Sequence, residues 1–151
     1  MTKQIAKYFT LPELCKSQTA LRNRIPNVPT MEQVLNLERL CKNILDPVRE
    51  QFGPTIITSG FRSFALNRLI GSSDNSQHPL GEAGDFEVVN VDNFTVASWI
   101  AKYCQFDQLI LEFYTPGDPN SGWIHASYRE GANRKELLTY NGSSYLSGLI
   151  K

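Results

Sequence analysis

Apolar residues recur every three or four positions over one long segment in the first third of the chain. "TMEQ" at 30–33 has the Thr-x-x-Gln spacing of a helix start, and Gly53 is a typical helix end. Pro47 predicts a kink, because its ring removes one backbone donor. The spacing therefore predicts an amphipathic scaffold helix that ends near Gly53. Its apolar positions are Val34, Leu37, Leu40, Cys41, Ile44, Leu45 and Val48.

Three shorter helices are predicted from similar signals. "TLPE" at 10–13 has a Thr-x-x-Glu start signal, so a short helix follows it. Ser63 is a typical N-cap for a helix over 64–70, which Gly71 closes. A further helix covers 93–104, where a broad apolar side is formed by Phe94, Ala97, Trp99, Ile100 and Tyr103.

Short segments rich in β-branched and aromatic residues predict strands. They are "PTIITSG" ending at Gly60, "DFEVV" from Asp85, and three later segments at 108–114, 122–128 and 134–140. Turn-forming stretches such as "TPGDPNSG" and "EGAN" separate the later strands. Helices come first and strands cluster late, and short connections favour antiparallel neighbours. The chain is therefore predicted to be one α+β domain, 1–151, with helices packed on an antiparallel sheet.

Alternation along two of these strands sorts their side chains into faces. In 108–114 one face carries Leu109, Leu111 and Phe113, and the other carries Gln108, Ile110 and Glu112. In 122–128 the core face carries Ile124, Ala126 and Tyr128, and the other carries Trp123, His125 and Ser127. If the two strands are neighbours, Glu112 and His125 share a face outside the core.

Composition narrows the class of protein. The 151 residues are 41% hydrophobic, enough for a sizeable core, and 15 basic residues balance 15 acidic ones. The chain has no excess of basic residues that would attract nucleic acid or an acidic membrane, so neither is expected as a partner. The N-terminus has no apolar run typical of a signal peptide, and no stretch of about 18 apolar residues occurs, so synthesis in the cytosol and no membrane span are expected. The three cysteines are interpreted as reduced, buried thiols.

The two histidines suggest a metal site. Three neutral imidazole or carboxylate ligands with an open fourth position form a catalytic zinc site, and His78, Asp85 and His125 supply such a set. The small residues in "GEAG" at 81–84 leave room for the backbone to turn around an ion. We therefore expect Zn²⁺ as the cofactor, since two histidines and an aspartate suit this metal.

Hydrolysis of an amide also needs a base and a cation. Glu112 is the preferred base on the face argument, with Glu82 and Glu87 as alternatives, and Glu87 is also a candidate partner of Asp85. Arg62, in "SGFRS", is the candidate that holds a substrate carboxylate or the developing oxyanion.

The motif Ser76-x-His78-x-x-Gly81-x-Ala83-x-Asp85 resembles the SxHxxGxAxD motif of the zinc D-Ala-D-Ala peptidases, peptidase family M15. "SGFRS" resembles the SGYRS that precedes this motif there, and "GWIHAS" resembles the WxH strand that carries the last ligand. The likeness extends over most of the chain, from "KYFTLPEL" to "RKELLTY", and is closest to small single-domain members of bacteriophages and bacteria.

The resemblance implies the fold shared with hedgehog signalling domains, zinc bound by His78, Asp85 and His125, and cleavage of peptidoglycan stem peptides at or near D-Ala. Arg62 matches the substrate or oxyanion arginine of the family, and Ser76 is a candidate for a hydrogen bond to substrate or to the ligand surroundings. Many members carry the catalytic glutamate three residues before the last histidine, as ExxH, but here that position is Gly122. The strand "DQLILEF" is therefore expected to supply the base as Glu112.

Three hypotheses follow for the function. The first is a monomeric zinc peptidase that cuts peptidoglycan as a D-Ala-D-Ala carboxypeptidase or an endopeptidase, with Gln108 and Trp123 added to the substrate-binding residues. Such an enzyme acts at the bacterial cell wall, for example as a phage lytic enzyme released from the cytosol or carried in a virion. The second is a non-catalytic zinc module that binds a cell-wall peptide or a protein. The third is a scaffold protein with incidental histidines.

Overall fold

The computed structural model describes residues 3–150. Its helices are α1 Leu11–Cys15, α2 Gln18–Arg22, α3 Met31–Leu40, α4 Asp46–Phe52, α5 Phe64–Leu69 and α6 Asn93–Tyr103, with a π-helical turn Cys41–Leu45 between α3 and α4 and a 3₁₀ turn at His78–Leu80. Its strands are β1 Thr55–Ser59, β2 Ala83–Val88, β3 Gln108–Glu112, β4 Trp123–Ser127, β5 Glu136–Tyr140 and β6 Tyr145–Ser147. Helix α2 and strand β6 were not predicted from the sequence.

The predicted scaffold helix is the continuous run α3, π turn and α4. Thr30 and Gln33 cap its start reciprocally, and Gly53, at φ +102°, ends it. The irregularity predicted at Pro47 takes the form of the π turn just before it, where the amide of Asp46 donates to the carbonyl of Cys41. A wider turn is one way in which a helix accommodates a break in its regular hydrogen-bond ladder.

Six strands form one sheet in the order β1-β2-β4-β3-β5-β6. All neighbours are antiparallel except β3 and β5, which are parallel. The predicted antiparallel sheet is therefore confirmed except at this pair, which is parallel because the chain crosses the start of β3 between β4 and β5. The crossing is held by Asp107, whose fully buried carboxylate accepts hydrogen bonds from the backbone, Nε and Nη2 of Arg134 at 2.9, 3.0 and 2.9 Å.

Helices cover one face of the sheet and form the core with it, which confirms the α+β class. The strands contribute buried side chains such as Leu109, Leu111, Ile124 and Ala126, as alternation predicted. Phe113 departs from that pattern: it is 43% exposed, because the chain leaves the strand there with φ +57°. Asp85, Glu112 and His125 lie on the opposite face of the sheet. Within residues 3–150, no helix combines the length and hydrophobicity that a membrane crossing requires.

Candidate metal centre and active-site cavity

His78, Asp85 and His125 lie together on the face of the sheet opposite the helices. Each offers one ligand atom, and the three atoms lie within 4.8 Å of one another. Asp85 and His125 are directly opposite each other on the central antiparallel strands β2 and β4. His78 reaches them from the 3₁₀ turn that precedes β2. The three residues named from the sequence therefore form one cluster.

Hydrogen bonding orients the ring of His78. Its Nδ1 lies 2.7 Å from the carbonyl oxygen of Gly60, so Nδ1 carries the proton and donates, and Nε2 presents its lone pair toward Asp85, 3.5 Å away. Burial lowers the pKa of His78, which favours the neutral imidazole that binds metals. Gly60 is required beside it, because a Cβ there would lie 2.3 Å from the carbonyl oxygen of Leu14.

Asp85 is an ionised carboxylate. Burial acts to raise its pKa, but the hydrogen bond from His125 and the proximity of both imidazoles outweigh burial, and the pKa lies well below the usual range. Its Oδ1 accepts from Nδ1 of His125 at 2.8 Å. A negatively charged oxygen therefore lies between two imidazole nitrogens.

The donor set fits a zinc ion. Tetrahedral zinc with Zn–N and Zn–O distances near 2.1 Å separates its ligand atoms by about 3.4 Å. The distance from Asp85 Oδ1 to Nε2 of His78 is 3.5 Å, close to that value, and the 2.8 Å to Nδ1 of His125 is shorter. The shorter distance is a hydrogen bond, and coordination through Nδ1 of His125 would require the tautomer that carries its proton on Nε2. Two nitrogens and one carboxylate oxygen match a three-ligand site with an open position.

Glu112 lies on the same face, at the end of β3. Ile110 is the residue opposite His125, and Glu112 is opposite Trp123, so Glu112 is diagonal to His125. Glu112 lines the same cavity as the three candidate ligands. Burial raises the pKa of Glu112 and the charge of Asp85 acts in the same direction, while His125, Arg62 and the indole of Trp123 oppose the shift. A carboxylate with a raised pKa is suited to accept and return a proton near neutral pH.

Backbone packing explains why the glutamate is not three residues before His125. Gly122 has φ +69°, and a Cβ there would lie 2.1 Å from the carbonyl oxygen of Glu112 and 2.7 Å from the carbonyl carbon of Phe113. No side chain fits at this position without moving the end of β3. The ExxH arrangement is therefore sterically excluded in this chain, and the carboxylate in the cavity comes from the adjacent strand.

Arg62 lines the cavity from the loop between β1 and α5. Burial lowers its pKa, and the nearby charges of Asp85 and Glu112 oppose that shift. Its Nε is buried and has no hydrogen-bond partner among residues 3–150. A planar cation with an unused buried donor can hold a carboxylate or an oxyanion of a ligand.

Asn27 fixes the loop that carries Arg62 and was missed in the sequence. Its Nδ2 donates to the carbonyls of Cys15 and Phe61, at 2.7 and 3.0 Å, and its Oδ1 accepts from the amide of Ser63 at 2.7 Å. Two of these contacts flank Arg62 on either side. A lone asparagine in a loop carries no sequence signal for this role.

The cavity has a volume of about 700 Å³. Ser76 and Gln108 line it, whereas Trp123 does not and instead packs on Phe113. The hydroxyl of Ser76 accepts from the amide of His78 at 3.2 Å, and Gln108 donates to Glu136 at 2.7 Å, so both side chains already have protein partners.

Two alternative bases lie outside the cavity lining. Glu82 accepts from Gln77 at 3.1 Å and lies 3.6 Å from Arg129, and Glu87 does not line the cavity either. Glu112 is thus the carboxylate that shares the cavity with the three candidate ligands. Arg129, Arg134 and Tyr145 are among the lining residues that the sequence did not single out.

The family model described as Peptidase M15 matches residues 7–126. The chain belongs to the peptidase family M15. Members of this family are in general zinc-dependent, and the three clustered ligand atoms of this M15 member are able to hold a metal ion. Among curated proteins, none matches the chain significantly. The matched segment includes all three candidate ligands together with Arg62 and Glu112, and β5 and β6 follow it.

Proposed function

We propose that this M15 member is a zinc-dependent peptidase that hydrolyses stem peptides or cross-links of peptidoglycan. The observation that carries the proposal is the convergence in one cavity of three ligand atoms, a carboxylate on the neighbouring strand and a buried arginine. His78, Asp85 and His125 are proposed to hold the zinc ion. As a Lewis acid, a zinc ion held there would lower the pKa of a bound water from about 15.7 to about 7 and so supply a nucleophile at neutral pH.

Glu112 is proposed to move the protons. As a carboxylate it accepts a proton from the attacking water, and as the acid it donates that proton to the nitrogen of the leaving group. The raised pKa of Glu112 supports both steps, since it brings the group closer to the working pH. Position also supports the role, because the strand pairing holds Glu112 diagonal to His125.

Arg62 is proposed to bind negative charge on the substrate. Its guanidinium lines the cavity with an unused Nε donor, so it is suited to hold the oxyanion that develops on the attacked carbonyl or a carboxylate of the peptide. Ser76 and Gln108 are proposed as polar substrate contacts at the cavity wall. Trp123 is proposed to act through Glu112, because its indole opposes the rise in the pKa of that carboxyl group. The substrate implies action at the bacterial cell wall, as for a lytic enzyme encoded by a phage.

Digestion of defined peptidoglycan with zinc-loaded protein, with products analysed by mass spectrometry, tests the function and identifies the bond. Glu112→Gln is expected to lower kcat by about 100-fold or more, because general acid–base catalysis contributes about 10² to 10⁴. Zinc stoichiometry should be unchanged, since Glu112 is outside the ligand set. Glu82→Gln is the matched control and should retain both.

Full activity of Glu112→Gln would contradict the role of this residue. Absence of any cleavage by the zinc-loaded wild type, with zinc bound and the protein folded, would instead favour a module that binds cell-wall peptides without catalysis.

A further inference from the structure

Four aromatic rings follow one another along the surface beside the cavity: Trp123, Phe113, Tyr140 and Tyr145, here called the aromatic platform. The centroids of Phe113 and Trp123 are 5.0 Å apart, and those of Phe113 and Tyr140 are 5.4 Å apart. Tyr140 and Tyr145 stack at 4.4 Å. Phe113 is 43% exposed and Tyr145 is 58% exposed, so much of this aromatic surface faces solvent. Aromatic rings exposed in this way can offer their faces to a ligand.

The aromatic platform is continuous with the candidate active site. Tyr145 lines the cavity that holds the three candidate ligands. Burial raises the pKa of its phenol, and the negative charge of Glu112 acts in the same direction. At the other end, Trp123 lies directly opposite Glu112 in the pairing of β4 with β3. A ligand seated in the cavity can therefore extend directly over these rings.

Backbone contacts hold the rings in fixed positions. The amide of Phe113 donates to the carbonyl of Tyr140 at 2.9 Å, and pairing of β5 with β6 places Tyr140 opposite Tyr145. The turn between those strands closes on the ring of Phe113, because Gly142 leaves only 3.0 Å between its ideal Cβ position and that ring. A surface with preorganised rings loses little conformational entropy when it binds a ligand.

We propose that the aromatic platform is a subsite for a sugar ring of the glycan strand to which the substrate peptide is attached. The inference rests on the proposed function, because a peptidoglycan stem peptide ends in the sugar chain. A pyranose ring has faces of C–H bonds, and these carry partial positive charge that the negative face of an aromatic ring attracts. None of the four platform side chains is charged, which suits an uncharged sugar better than an acidic peptide.

Two rings of the aromatic platform, Tyr140 and Tyr145, lie on strands that follow the segment matched by the family model. Its contribution is therefore a property of this chain's own β5 and β6. On the proposal, these strands determine preference for peptide that is still linked to glycan over free peptide.

Direct binding of a defined sugar tests the subsite without any need for catalysis. The probe is the β-1,4-linked tetrasaccharide of N-acetylglucosamine, titrated calorimetrically into metal-free and zinc-loaded protein. The wild type should bind it in both forms, and Tyr145→Leu should weaken the affinity by about tenfold or more, since loss of one stacked ring removes a contact of that size. Tyr103→Leu is the matched control: Tyr103 is also an exposed tyrosine, at 61%, but it lies on α6 and should not affect binding.

A second measurement compares KM for glycan-linked and for sugar-free stem peptide. The wild type should have the lower KM for the glycan-linked form, and Tyr145→Leu should reduce that difference. No binding of the tetrasaccharide by the wild type, or equal affinity of wild type and Tyr145→Leu, would overturn the subsite. An equal rise of KM for both substrates in Tyr145→Leu would assign the aromatic platform to the peptide instead. Sugar binding without any hydrolysis would support the subsite and refute the proposed function, so the two failures are distinguishable.

Discussion

Replacement of Gly122 by alanine tests whether the position of Glu112 depends on the close approach of two backbone segments. An alanine at φ +69° costs about 1 to 2 kcal/mol, because the left-handed conformation brings its Cβ close to the following carbonyl oxygen. The larger effect is the contact of 2.1 Å with the carbonyl oxygen of Glu112. Real Cβ contacts are essentially never closer than 3.0 Å, so the two segments must separate by about 1 Å.

These terms give expected magnitudes. Overpacking of this kind costs about 1 to 3 kcal/mol, so the free energy of unfolding should fall by roughly 3 kcal/mol in total. For a chain of 151 residues this corresponds to a decrease in Tm of roughly 10 °C. A displacement of about 1 Å at the proposed base should lower kcat about 100-fold.

Gly117→Ala is the matched control in the same loop. Gly117 also has a positive φ, of +89°, but nothing lies within 4 Å of its ideal Cβ position. This variant should show only the conformational cost and should keep its kcat. Thermal unfolding monitored by circular dichroism and release of amino groups from peptidoglycan measure the two quantities. Equal Tm and equal kcat for the two alanine variants would refute the claim that Gly122 positions Glu112.

Two further predictions concern side chains that hold loops in place. Asn27→Ala should lower the free energy of unfolding by about 1 to 2 kcal/mol, because it frees the loop of Arg62 from two hydrogen bonds at Phe61 and Ser63. The loss in kcat/KM, expressed as a free energy, should be at least as large. Unchanged kcat/KM in a folded, zinc-loaded variant would argue against this. Arg134→Met should destabilise the protein by about 2 kcal/mol at pH 7, since it leaves the Asp107 carboxylate without two charged hydrogen bonds, and the half-exposed guanidinium limits the loss. Burial acts to raise the pKa of Asp107, but the hydrogen bonds from Arg134 lower it in the folded protein. The stability that this ion pair contributes should therefore be present above about pH 4 and disappear as the pH falls through the lowered pKa. Urea unfolding at several pH values checks this trend.

Alternation along the strands predicted the essential part of the candidate site. The face assignment placed Glu112 and His125 together, and the register of β3 and β4 does bring them onto one face. Such a prediction is possible because a strand side chain's face depends only on its position in the local sequence. The helix boundaries at Thr30 and Gly53 were also local signals, and the structure has them.

Features that depend on distant parts of the chain could not be predicted. Asn27 and Gly60 act through carbonyls and amides brought near by folding, and nothing in their neighbouring residues indicates those contacts. The parallel pairing of β3 with β5 is accompanied by the ion pair of Asp107 with Arg134, which are 27 residues apart. Tyr145 lines the cavity because β6 extends the sheet beyond β5.

The pairing of Asp85 opposite His125 also has a consequence for folding fidelity. Side chains of a strand change face with every residue, so a slip of β4 by one residue against β2 would turn His125 into the core and bring Ile124 or Ala126 to the outer face. A slip of one residue therefore places the two ligand atoms on opposite faces. On the proposed ligand set, a metal ion would bind the correctly paired sheet and not the slipped one, and its binding energy would add to the free-energy gap between the native sheet and its misregistered alternatives.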